Sequence, residues 1–140
     1  MNKKTVVGYT CGAFDMFHVG HLNILRNAKS MCDHLIVSVS TDKLIKSKKN
    51  TNPIISFEHR IEIVRNIKYV DTVIPQNDLD KIKAHRKLKY DILFVGDDWY
   101  DDQKWSDYEN ELKSYGAKII FFPYTEAIST TKIKNEISRR

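Results

Sequence analysis

A β-branched and aromatic run, Thr5 to Thr10 (TVVGYT), passes through Gly12-Ala13-Phe14-Asp15-Met16-Phe17-His18-Val19-Gly20-His21 into a segment where Leu22, Leu25, Ala28 and Met31 recur at helical spacing. His34 to Ser40 (HLIVSVS) then reads as a second buried strand. Two strands separated by a helix form a βαβ unit, and two strands joined by such a crossover run parallel. This one junction therefore commits the chain to a layered α/β fold.

The remaining chain keeps the alternation. Ser56 is placed to cap a helix through Phe57, Arg60, Ile61, Val64 and Ile67, and Thr72 to Pro75 predicts a short third strand. Asp78 to Lys89 predicts a helix with a solvated basic face, from Lys81, Lys83, Arg86, Lys87 and Lys89. Asp91 to Gly96 is a fourth strand. Lys104 to Tyr115 is a helix stopped by Gly116, and Lys118 to Pro123 is a fifth strand. Lys43 to Ile55, which carries Lys46, Lys48 and Lys49 among Asn, Ser, Thr and Pro without clear periodicity, reads as a mobile basic loop. The expected fold is a single-domain, doubly wound α/β architecture over residues 1–140, with a five-stranded parallel sheet.

Chemistry concentrates where the first strand meets the first helix. A helix N-terminus presents unpaired N–H groups and partial positive charge, which suits a phosphate. Gly12 and Gly20 permit close backbone approach there. His18 and His21, three residues apart on the first helical turn, face the same way and can donate to the same phosphoryl group. Asp42 follows the second strand, at the carboxyl edge where ligands of open α/β sheets bind.

Composition narrows the partners. With 140 residues, 41% hydrophobic and 29% charged, the chain is that of a soluble globular protein, and no apolar run approaches the ~20 residues of a membrane span. The basic N-terminus runs into the first strand and is not a signal peptide, so the expected location is cytoplasmic. Cys11 and Cys32 are too few for a disulfide framework and read as small buried hydrophobes. A net charge of +5 implies anionic partners. The basic run has little aromatic interleaving and reads as a solvated helix face more than a stacking platform, which leaves a nucleic-acid-binding module as the outside alternative.

The motifs resemble a known family. GAFDMFHVGH is similar to the GxFD and HxGH signature of the nucleotidylyltransferases. Glu126-Ala127-Ile128-Ser129-Thr130-Thr131 is similar to the RTEGISTT motif of the cytidylyltransferase branch, and Gly96-Asp97-Asp98-Trp99 resembles the GDDW element of its glycerol-3-phosphate members. The resemblance implies a Rossmann-like strand order with the first strand central, a homodimer, and transfer of a cytidylyl group from CTP, with Mg²⁺, to a phosphorylated alcohol. Glycerol 3-phosphate is favoured as acceptor for a cell-surface polymer. Choline, ethanolamine or ribitol phosphate, or ATP in place of CTP, remain open.

It also implies a site. His18, His21 and either Lys46 or Lys48 are expected to stabilise charge on the phosphates. Thr10, Cys11, Gly12, Ala13, Phe14, Gly20, Arg60 of the Glu58-His59-Arg60 element, Gly96, Asp97, Asp98, Trp99, Tyr124, Thr125, Ile128, Ser129, Thr130 and Thr131 are expected to hold the nucleotide. Asp15, Asp42 and Lys68 are assigned to the acceptor, with Asp15 leaning towards a structural role, and no protein metal-ligand set is expected. Tyr124 and Lys68 stand where the family motifs have arginines, and neither reproduces a bidentate guanidinium.

Overall fold

A computed structural model describes residues 4–96, 103–123 and 130–139. Five parallel strands form one sheet: β1 (Val7–Gly12), β2 (His34–Ser40), β3 (Thr72–Gln76), β4 (Ile92–Gly96) and β5 (Lys118–Phe122), in the order β3-β2-β1-β4-β5. Six helices are described: α1 (Val19–Ser30), α2 (Asp42–Lys49), α3 (Phe57–Arg65), α4 (Lys81–Leu88), α5 (Gln103–Ser114) and α6 (Thr130–Arg139). Strand order reverses between β1 and β4, which makes this a doubly wound, Rossmann-like sheet with its switch point at the end of β1.

Side-chain alternation along the strands divides the interior in two. Leu35, Val37 and Val39 of β2 face one way and pack with Leu25 and Ala28 of α1 and with Ile61 and Val64 of α3. Ile36 faces the other way, with Tyr9, Leu93, Ile119, Ile82 of α4 and Leu112 of α5. Gly8 is the tight point of β1. A Cβ there would lie 2.7 Å from both the Cys32 sulfur and the Phe94 ring, so a larger residue would push α1 or β4 away.

Lys43 to Ile55 is not a loop throughout. Thr41 caps α2, its hydroxyl accepting from Leu44 N–H at 3.2 Å, and Asn50 closes the helix in the left-handed conformation. Ile45 is buried, and Lys46, Lys48 and Lys49 occupy the last turn, where cations favour the helix dipole. The helix has two turns, too short for its polar sequence to show a period. Boundaries shift elsewhere: β1 runs to Gly12, and α4 starts at Lys81 because the Asp80 carboxylate caps it by accepting from Ile82 and Lys83 N–H. Ser56 occupies the capping position of α3 without a side-chain bond.

Candidate active site

The β1–α1 junction is held by its histidines. His18 is the N-cap of α1: its Nδ1 accepts from Gly20 N–H at 3.0 Å. The Nδ1 of His21 accepts in turn from His18 N–H at 3.2 Å, completing a capping box built of two imidazoles. The rings stack with centroids 3.9 Å apart. Because each Nδ1 is an acceptor, each neutral ring carries its proton on Nε2.

Burial lowers the pKa of His18, and burial chiefly, then the proximity of His18, lowers His21 to about 4 despite the opposing charge of Asp15. At neutral pH the pair therefore presents two uncharged Nε2–H donors. The loop that delivers them is strained, since Phe14 (φ 54°) and Met16 (φ 50°) are both left-handed without being glycine. Phe14 and Phe17 pack against His21 at 5.4 and 5.3 Å between centroids and hold the ring in place.

A cavity of about 470 Å³ opens at this junction. Of the residues expected to form the site, Thr10 through Asp15, His18, Gly20, His21, Lys48 and Gly96 line it. Lys46 is not among its lining residues, so of the two candidate lysines it is Lys48 that the cavity receives. Burial, then the charges of Lys81 and Lys49, lower the Lys48 pKa.

Three expected contacts are corrected by the packing. Arg60 is 1% exposed and lies beneath the cavity wall, not in it. Its guanidinium donates to the carbonyls of Ile55 (2.8 Å), Ala13 (2.7 Å) and Ser40 (2.7 Å) and to Asp42 Oδ1 (2.6 Å). It thereby ties the ends of β1 and β2 to the start of α3, with every contact spent on protein. Asp42, assigned to the acceptor, is its ion-pair partner and also accepts from Phe57 N–H. Lys68 precedes β3, at the amino edge of the sheet, opposite the cavity, with its ammonium 5.2 Å from the Tyr69 ring centroid.

Asp15 lines the cavity but uses both oxygens structurally, accepting from Ile54 and Ile55 N–H at 2.8 and 2.9 Å, and its carboxylate meets Lys134 of α6 at 3.6 Å. Asp97, Asp98, Trp99, Tyr124, Thr125, Ile128 and Ser129 lie outside the described residues. Thr130 and Thr131 open α6, and their side chains lie outside them too.

Several lining residues were not anticipated: Lys81, Lys104, Trp105, Tyr108 and Lys134. Lys81 is the instructive one. Its place in a basic run suggests a solvated face, yet it is 8% exposed and donates to the Cys11 sulfur at 2.8 Å. The available signal was its position directly after the Asp80 cap, on the turn nearest the carboxyl edge of the sheet.

The site thus offers neutral donors at one helix N-terminus and ammonium groups from several elements, a set suited to a polyphosphate. The profile of the Cytidylyltransferase-like family matches residues 9–136. Glycerol-3-phosphate cytidylyltransferase of Bacillus subtilis (strain 168) is 38% identical over 138 residues, covering 96% of this chain and 98% of the relative. An FAD synthase of Thermococcus sibiricus is 33% identical over 139 residues, covering 96% and 94%. The crystal structure of a lipopolysaccharide core biosynthesis protein from Thermoplasma volcanium superposes with a TM-score of 0.71 at 24% identity, over 87% of this chain and 98% of that one, a likeness of fold.

Proposed function

This chain belongs to the cytidylyltransferase-like family, and we propose that it transfers the cytidylyl group of CTP to glycerol 3-phosphate, releasing pyrophosphate and forming CDP-glycerol. The observation that carries the reading is the pair of neutral Nε2–H donors, fixed in tautomer by the α1 capping box and facing a lysine-lined cavity. A phosphate oxygen of the acceptor, already ionised, forms a bond to the α-phosphorus. The bond from that phosphorus to the bridging oxygen breaks, and its electron pair leaves with pyrophosphate. No base is needed to create the nucleophile, so the protein's task is to position the partners and stabilise charge on the equatorial and leaving oxygens.

His18 and His21 donate to those oxygens without needing to titrate. Lys48 supplies charge from the end of α2. Mg²⁺ enters with CTP as part of the substrate, held by phosphate oxygens and water. The protein acts as a single catalytic domain in the cytoplasm as a homodimer, without nucleic acid or membrane as partner, and CDP-glycerol feeds assembly of a cell-surface polymer. No described helix is long and apolar enough to cross a membrane.

The FAD synthase relative supports a second reading, an adenylyl transfer from ATP. Pyrophosphate release from CTP or ATP with Mg²⁺, measured with glycerol 3-phosphate, choline phosphate, ethanolamine phosphate, ribitol phosphate or FMN, separates the two. Release from CTP with glycerol 3-phosphate is expected. Release only from ATP favours the second reading, and no release with any acceptor refutes both.

A further inference from the structure

The His18–His21 pair and Lys81 approach the cavity from opposite faces of the sheet. His21 packs on Phe14 and Phe17, which belong to the interior shared with α1 and α3. Lys81 reaches in from α4 on the other face, where its ammonium meets the Cys11 sulfur and lies 5.9 Å from the Trp105 ring centroid. Its backbone is pinned as well, since the Tyr90 hydroxyl donates to the Lys81 carbonyl at 2.9 Å and Tyr90 stacks on Tyr9 of β1.

A lysine this deeply buried ordinarily has an anionic partner. Among the described residues no carboxylate forms an ion pair with Lys81, and Asp78, which feels its charge, is bonded to Lys83 and to Asp80 N–H. The Cys11 sulfur and the Trp105 indole face orient the ammonium. In-line displacement at phosphorus requires the entering and leaving oxygens to stand on opposite sides of the reacting atom. A leaving pyrophosphate held by the histidines places the entering phosphate on the other side, towards α4.

Resting on the cytidylyl-transfer reading above, we propose that Lys81, aimed by Cys11 and Trp105, binds the phosphate of the acceptor alcohol and sets the preference for a phosphorylated acceptor. The ammonium neutralises the acceptor phosphate while one of its oxygens attacks the α-phosphorus and pyrophosphate departs.

The test compares wild type with Lys81→Met, which keeps the aliphatic stem and removes the charge. CTP binding is read by calorimetry without acceptor, and the acceptor KM from initial rates with glycerol 3-phosphate. Lys81→Met is expected to raise the acceptor KM by about 10- to 100-fold, as loss of a charge-assisted bond does, and to leave the CTP Kd within about twofold. A weakened CTP Kd with an unchanged acceptor KM assigns Lys81 to the triphosphate and overturns the proposal. No change in either makes the ammonium structural and also overturns it.

Should Lys81→Met fail to fold, Cys11→Ala removes the sulfur that aims the ammonium and keeps the charge. It is expected to raise the acceptor KM by about 3- to 10-fold, and an unchanged acceptor KM overturns the proposal. A wild-type protein inactive with every acceptor defeats the cytidylyl-transfer reading and this proposal with it. An active wild type with an unaltered Lys81→Met defeats the proposal alone.

Discussion

Acidification should destabilise this protein through His21, by an amount its position allows to be worked out. In the folded state the ring is held neutral to about pH 4 by burial and by His18, whereas the unfolded side chain titrates near its ordinary 6.5. Between those values the unfolded chain binds the extra proton, so stability falls as pH drops from 6.5 towards 4 and levels off below. The full shift corresponds to about 3 kcal/mol, of which about 2 kcal/mol is lost between about pH 7 and pH 4.5. His21→Gln supplies the control, because its side-chain oxygen can still accept from His18 N–H while nothing at position 21 titrates. His18, whose titration burial depresses, is present in both proteins, so the comparison isolates what is lost with the His21 ring, its coupling to His18 included. Urea unfolding of both proteins at the two pH values should show wild type losing about 2 kcal/mol more than the variant. Equal losses, or an imidazole NMR midpoint for His21 near 6.5, would refute the reasoning and with it the neutral donor in the active site.

His21→Ala should lower kcat by about 10²- to 10³-fold in the pyrophosphate-release assay, since it removes a donor to charge that grows in the transition state. A loss confined to a few-fold would mean that the imidazole only caps α1. Arg60→Met should cost about 3–5 kcal/mol in urea unfolding, because three carbonyls and Asp42 lose their donor, and a cost below about 1 kcal/mol would contradict its role as the tie beneath the site. Lys48→Ala should raise the KM for CTP by about 10-fold or more while Lys46→Ala stays within about twofold, as expected if Lys48 alone of the two faces the cavity; equal effects would refute that assignment.

Local order in the chain was enough for the fold and for the centre of the site. Strand and helix alternate with periods of two and 3.6, and once β1 and β2 are joined by a crossover their parallel pairing follows. The same logic brings Gly12, His18 and His21 together, because they are neighbours in sequence and one helical turn aligns the two imidazoles. Two-turn α2 escaped because a short polar helix on a surface buries only Ile45, leaving too few apolar positions for a period.

Charged side chains marked the limit of the sequence reading, since a lysine or arginine reads alike in a sequence whether it faces water, a cavity or the core. Arg60 and Asp42 were each legible as a candidate ligand contact, but only the convergence of β1, β2 and α3 shows that Arg60 is consumed by three carbonyls and a carboxylate, that of Asp42, below the site. Lys81 shows the reverse. Its neighbours in sequence are solvated cations, while its neighbours in space are Cys11, 70 residues away, and the Trp105 ring. Burial and partner choice for such groups depend on which elements the crossovers bring to one edge of the sheet, and long-range packing alone decides that.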